Sequence, residues 1–234
     1  MTSKREKGPG RVRLALDTST PVGAVALAVD GHVVARARLT SQTRHASALL
    51  PAVDEALSAA GVDRHEIDAV IVGEGPGSFT GVRVAAATAK GLTRALQRPL
   101  YAVSSLAGAA LAHEALPIRY ALFDARAERV YAACFGVGRA RVEVLAPPHA
   151  AELRELLAGD VPAGATFLGD GALKHRGVIE GAGFPVAEPG PDMTVADGLL
   201  AWLVRSPNAA PVLDPSGWEP EYVRVSGAER LWAS

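Results

Sequence analysis

Cysteine occurs only once in this chain of 234 residues, at Cys134, so no internal disulfide framework can form. Its apolar surroundings, "VYAACFGV", read as a buried core thiol rather than a nucleophile. An excess of either charge is also lacking, with 24 Lys and Arg against 25 Asp and Glu and a formal net charge of −1. No global field draws the whole molecule to nucleic acid or an anionic membrane, so any RNA contact needs a local patch or a partner. No apolar run reaches the roughly 18 residues of a membrane span. The basic opening "MTSKREKGPGR" is followed by no signal-peptide core. These absences predict a soluble cytoplasmic protein with no membrane partner and a disordered tail over residues 1–10. The six histidines never pair at i, i+4, which excludes a helical metal face, and no metal site is expected.

What is present is a chain 49% hydrophobic, long enough for a sizeable core. "RVRLALDTS" reads as a strand ending in a polar loop. Asp30-Gly31 between two β-rich runs predicts a hairpin, so three strands come first. "HASALLPAVDEALSAAG" places Leu49, Leu50, Val53, Ala56 and Leu57 at helical spacing, with Gly61 as the stop. "IDAVIVG" reads as a buried parallel strand, and "VRVAAATAKGLTRALQ" as the helix after it.

The same βββαβα order then recurs. "RYALFDAR", "RVYAACFGV" and "RARVEVLA" are strands, "HAAELRELLAG" a helix, and "ATFLGDG" a strand entering a second glycine-bearing turn. Asp17 and Asp124 end the first strand of each half. A duplicated βββαβα unit differs from the doubly wound nucleotide fold, which alternates from its start. It is the order of the actin-like ATPase superfamily, whose α/β lobes each resemble ribonuclease H. The expected division is an N-terminal lobe over 11–102 that binds a partner and a C-terminal lobe over 103–234. The latter includes an inter-lobe helix over 102–116.

"VGEGPGSFTGVR", Val72 to Arg83, looks like a phosphate loop but lacks the Walker lysine and the dinucleotide glycine spacing. Backbone N–H groups of Gly75, Gly77, Ser78 and Thr80 could still form an anion-binding concavity, with Ser78 or Thr80 capping the helix. A tight turn accounts for the same residues and, with no lysine in the loop, is favoured over autonomous phosphate binding. Asp17, Thr18 and Ser19 in "LDTST" stand where an actin-like ATPase holds metal or water near phosphates; an Asx-type turn is the structural alternative. Asp124 is the pseudo-symmetric acid, but "DARAER" carries neither glycine nor hydroxyl. The chain therefore carries about half the equipment of an ATPase, and an autonomous ATPase or kinase is disfavoured. A peptidase is disfavoured too, because "GPGSFTG" is not a nucleophile elbow. Two helices offer small and apolar stripes as a partner surface: His45, Leu49, Ala52, Val53 and Ala56 on one, and Ala85, Thr88, Ala89 and Leu92 on the other.

"LALDTST", "RHASALLP", "VGEGPGSFTGVRVAAATAKGL", "FDARAERVY" and "PEYVR", in that order, closely resemble the bacterial tRNA threonylcarbamoyladenosine biosynthesis family TsaB, also called YeaZ. The resemblance runs from about Leu14 to Arg224. It implies a two-lobed actin-like fold and a non-catalytic partner for the TsaD-like subunit that modifies the tRNA adenosine adjacent to the anticodon. It also implies a TsaE-like ATPase as a further partner, tRNA contact through the complex, and self-association through the same N-lobe helices. No cofactor of its own is expected, and ATP or ADP would sit at a site shared with partners.

Overall fold

The computed structural model describes residues 11–39, 45–113, 116–190 and 192–223; the tail expected over 1–10 lies outside them. Three strands open the chain: β1 (Val12–Asp17), β2 (Gly23–Val29) and β3 (His32–Leu39). Asp30 and Gly31 turn β2 into β3 with φ of 52° and 84°. Positive φ at both central residues is what a two-residue hairpin turn of type I′ needs. Helix α1 (His45–Ala60), strand β4 (Ile67–Gly73), helix α2 (Phe79–Leu96) and strand β5 (Leu100–Val103) complete the lobe. The sheet order is β3-β2-β1-β4-β5, with β4 and β5 parallel to β1.

The second lobe repeats the plan with β6 (Ile118–Asp124), β7 (Arg129–Val137), β8 (Val142–Glu152), α4 (Leu153–Ala158), β9 (Ala165–Leu168) and α5 (Asp170–Lys174). Its order, β8-β7-β6-β9, matches the first sheet without its fifth strand. Two helices follow, α6 (Arg176–Gly181) and α7 (Val195–Arg205). The duplicated ribonuclease H-like order read from the sequence is the order of the structure.

Three segments differ from expectation. Leu100 to Val103 pair with Val70 to Gly73 as β5, so the inter-lobe helix α3 covers only Ser105–Leu111. The helix expected from His149 begins at Leu153, because His149 and Ala151 are drawn into pairing with Ala132 and Val130. The division at residues 102 and 103 also needs correction. Beyond α7 the chain returns to the first lobe, where the Val212 N–H donates to Leu100 O at 2.8 Å and the Glu221 N–H to Glu74 O at 3.1 Å. Trp218 and Val212 pack against that lobe's core.

Period-two alternation divides each central strand between two cores. Leu14 and Leu16 of β1 face α1 and α2 with Leu27, Leu49 and Val72, while Ala15 faces the other lobe with Ile71. In β6, Tyr120 and Leu122 join Phe167 and Ile179, whereas Ala121 and Phe123 join the inter-lobe core. Helices α3 and α7 contribute to that middle core. They touch backbone to backbone, for a Cβ on Gly198 would stand only 1.7 Å from Gly108 O. Arg36 of β3 closes the seam with a 2.7 Å ion pair to the buried Asp197 of α7. The ends of β1 and β6 consequently face each other across one cleft.

Candidate functional site: a glycine loop at the mouth of the inter-lobe cleft

Asp17 ends β1 and is fully buried. Its Oδ1 accepts from the Ser19 N–H at 2.9 Å and the Ser19 hydroxyl at 2.7 Å, the Asx-type turn weighed from sequence. Its Oδ2 accepts from the Ser105 hydroxyl of α3 at 2.6 Å. Ser105 Oγ in turn accepts the Gly75 N–H at 3.1 Å, and the Ser105 N–H donates back to Gly75 O at 2.8 Å. One chain of hydrogen bonds thus ties β1, the glycine loop and α3 together.

The glycines make room for this close approach. A Cβ on Gly73 would lie 1.8 Å from Asp17 Oδ2, one on Gly77 2.4 Å from Ser19 O, and one on Gly81 1.8 Å from Thr18 O. Thr18 Oγ1 donates to Gly81 O at 2.6 Å. The Ser78 N–H donates to Ser19 O at 2.7 Å, while the Ser78 hydroxyl caps α2 by accepting from Gly81 N–H at 3.4 Å. Of the four N–H groups read as an anion cradle, those of Gly75 and Ser78 therefore serve protein acceptors. Thr80 is exposed on the first turn of α2.

A cleft of about 950 Å³ opens beside this loop. One wall has Ser19, Thr20, Gly77, Ser78 and Thr80; the other has Asp124, Arg126, Tyr131 and Asp170. The structure thus brings both predicted groups, the Asp17 side and Asp124, to one cleft, although Asp17 itself points into the latch. Asp124 receives Lys174 Nζ at 2.7 Å. Burial works against its charge, but the hydrogen bond from Lys174 and the backbone of Arg126 hold its carboxyl below the usual range. Asp170 behaves oppositely: burial pushes it up to about 6, against hydrogen bonds from the backbone of Asp124 and Gly171, with the Asp124 charge adding to the rise. Its Oδ1 is buried without a partner among the described residues. Arg126, Ala127 and Glu128 of the β6–β7 turn all have positive φ, 65°, 49° and 57°. No group of three or more His, Cys, Asp or Glu that could hold a metal occurs among the described residues.

The proposed partner stripes need correction. Leu49, Ala52, Val53, Ala56, Ala85 and Ala89 are buried in the first lobe's own core, because that face of each helix lies on the sheet. Thr88 and Leu92 are half-buried, and the side chain of His45 lies outside the described residues. Solvent instead meets Leu50, Pro51, Asp54 and Glu55 of α1, and Thr80, Ala87, Gly91 and Ala95 of α2. Periodicity identified the apolar faces correctly, but assigned them to a partner rather than to the lobe itself.

Sequence reasoning also missed Ser105, Asp170, Lys174 and the returning strap of 212–223. Over the glycine loop the strap places Glu221 beside Glu74, whose carboxyl is raised by burial and then by the Glu221 charge. "SGWEPEY" was the available signal, a run with two aromatics beside an otherwise polar turn.

A family model described as TsaD, tRNA N6-adenosine threonylcarbamoyltransferase, matches residues 37–189. The chain is 30% identical to the tRNA threonylcarbamoyladenosine biosynthesis protein TsaB of Bacillus subtilis, over 94% of this chain and 96% of that protein. Against the TsaB protein of Haemophilus influenzae identity is 41%, over 50% of this chain and 51% of the relative. The solved structure of YeaZ from Pseudomonas aeruginosa superposes with a TM-score of 0.74 at 30% identity, covering 91% of this chain and 99% of that one.

Proposed function

The chain belongs to the TsaB family, and from that premise we propose that it is a non-catalytic subunit in the formation of threonylcarbamoyladenosine in tRNA, at the adenosine adjacent to the anticodon. Its partner is a TsaD-type transferase. The observation that carries this reading is the latch at Asp17: the acid that would serve phosphate chemistry is bound by Ser19 and Ser105 instead. The loop's tight contacts position α2 rather than grip a ligand. Ser78 is likewise engaged as a helix cap, which speaks against a peptidase.

The outward face of α1 and α2 suits the transferase as a binding surface. Gly91 supports this, because a Cβ there meets nothing within 4 Å. Glycine inside a helix costs about 1 kcal/mol relative to alanine, and no packing among the described residues requires it. Close approach by another helix is a reason to keep it. The neighbouring Ala87 and Ala95 leave the same surface flat, and exposed Leu50 adds an apolar anchor on α1. The same face would serve self-association when the transferase is absent. A TsaE-like ATPase and an ATP or ADP shared with partners complete the proposed assembly, the inter-lobe cleft being large enough for such a ligand.

Co-purification tests the assembly. A tagged TsaD-type subunit should retain this chain and lose it when Gly91→Arg is introduced. Retention of the variant at wild-type affinity would count against the α1–α2 face.

A further inference from the structure

Beside that face lies a strip in which cations and exposed aromatic rings alternate. All charged residues from Phe79 to Arg98 are basic. Arg83, Lys90 and Arg94 recur at helical spacing along one side of α2, over about 16 Å. No carboxylate lies within ion-pair distance of these three among the described residues. The rings come from both segments. The Arg83 guanidinium lies 3.9 Å above the Phe79 ring and 5.6 Å from that of Tyr222, and its Nε donates to the Tyr222 hydroxyl at 3.0 Å. Phe79 and Tyr222 stand 5.5 Å apart and are 56% and 42% exposed. Lys90 Nζ sits 5.8 Å from the Trp218 ring and donates to Ser216 O at 3.2 Å.

A large share of each ring stays in water, more than half of Phe79 and over a third of Tyr222, and that area contributes nothing to folding. Their arrangement fits a ligand with flat faces and negative charge. We propose that the strip built by α2 and the 212–223 strap is a direct contact surface for a single-stranded RNA loop. Unpaired bases stack on Phe79 and Tyr222, while Arg83, Lys90 and Arg94 meet the phosphates. The proposal deepens the tRNA reading above and rests on it. It supplies the local patch that a chain of net charge −1 needs, and it goes beyond tRNA contact made only through other subunits. Asp214, Glu219 and Glu221 on the strap bound the strip, so stacking contributes more than charge and the strip favours loops over continuous duplex.

The test uses the complex of this chain with the TsaD-type subunit and a labelled anticodon stem-loop RNA read by fluorescence anisotropy. The expected result is a loss of about tenfold in affinity for the double variant Phe79→Ala/Tyr222→Ala, by removal of stacking. Arg94→Ala should separately make the dependence of log K on log salt shallower by about 0.7, one phosphate contact on a single strand. In the modification assay the KM for tRNA should rise with kcat unchanged, and subunit affinity should stay at its wild-type value. Unchanged RNA affinity in both variants overturns the proposal. Loss of subunit binding in place of RNA binding also overturns it, making the strip a protein interface. If the wild-type complex modifies tRNA while the variants match it, only this inference fails; if the wild-type complex modifies no tRNA, the functional reading itself fails.

Discussion

The hydroxyl of Ser105 donates to Asp17 Oδ2 over 2.6 Å, joining residues 88 positions apart in the chain. This contact makes the end of β1, the glycine loop and the start of α3 one unit. Ser105→Ala removes a donor to the buried Asp17 carboxylate and the acceptor of the Gly75 N–H, so stability should fall by about 1–3 kcal/mol. Gly73→Ala should be worse, because its Cβ would overlap Asp17 at 1.8 Å. Urea unfolding of both variants checks the order.

Gly91 separates folding from assembly. Gly91→Ala should raise the stability of this chain by about 1 kcal/mol, through helix propensity at a site with free space around it. It should nonetheless weaken binding to the TsaD-type subunit. Ala89→Arg, by contrast, should unfold the lobe, since Ala89 has no exposed surface. Thermal melts and a binding titration on the same samples distinguish the two positions.

Much of the fold was legible in the sequence, and the reasons are specific. The apolar run "RLALD" ending in a polar loop, the Asp30-Gly31 turn and the repeated strand-ending acids Asp17 and Asp124 reported local geometry directly. The four residues of β5 did not, because only pairing with β4 makes "LYAV" a strand. Nor did "HAAE", whose helical appearance yields to the ladder with β7. The partner face was misplaced for a related reason. A stripe such as Ala85–Ala89 records that a helix face is buried, without recording what buries it. Ser105 and Asp170 entered the site only through the long-range packing of α3 and α5, which no local pattern encodes.

Asp170 should give stability a pH dependence. Its folded-state value of about 6 exceeds the ordinary 3.8, so the native state holds this proton more tightly than the unfolded chain. Its favourable contribution is full below about pH 4 and is lost as pH rises through 6, a change on the order of 3 kcal/mol at most. Asp170→Asn should flatten that part of the profile and stabilise the protein above pH 7. Denaturant midpoints at pH 4.5, 6 and 8 read the effect.

Cys134 should be chemically silent in the folded protein. It has no exposed surface, and burial pushes its thiol up to about 11. A thiol-reactive dye should label it only after denaturant is added. Rapid labelling of the native chain would contradict the core placement.

The central claim is that this chain supports a transferase and performs no phosphate chemistry by itself. Reconstitution tests it most directly: threonylcarbamoyl incorporation into tRNA by the TsaD-type subunit, with its ATPase partner present, measured with and without this chain, alongside ATP turnover by this chain alone. The account predicts incorporation that depends on adding this chain, with no turnover above background when it is alone. Undiminished incorporation in its absence, or sustained ATP turnover by the isolated chain, would contradict it.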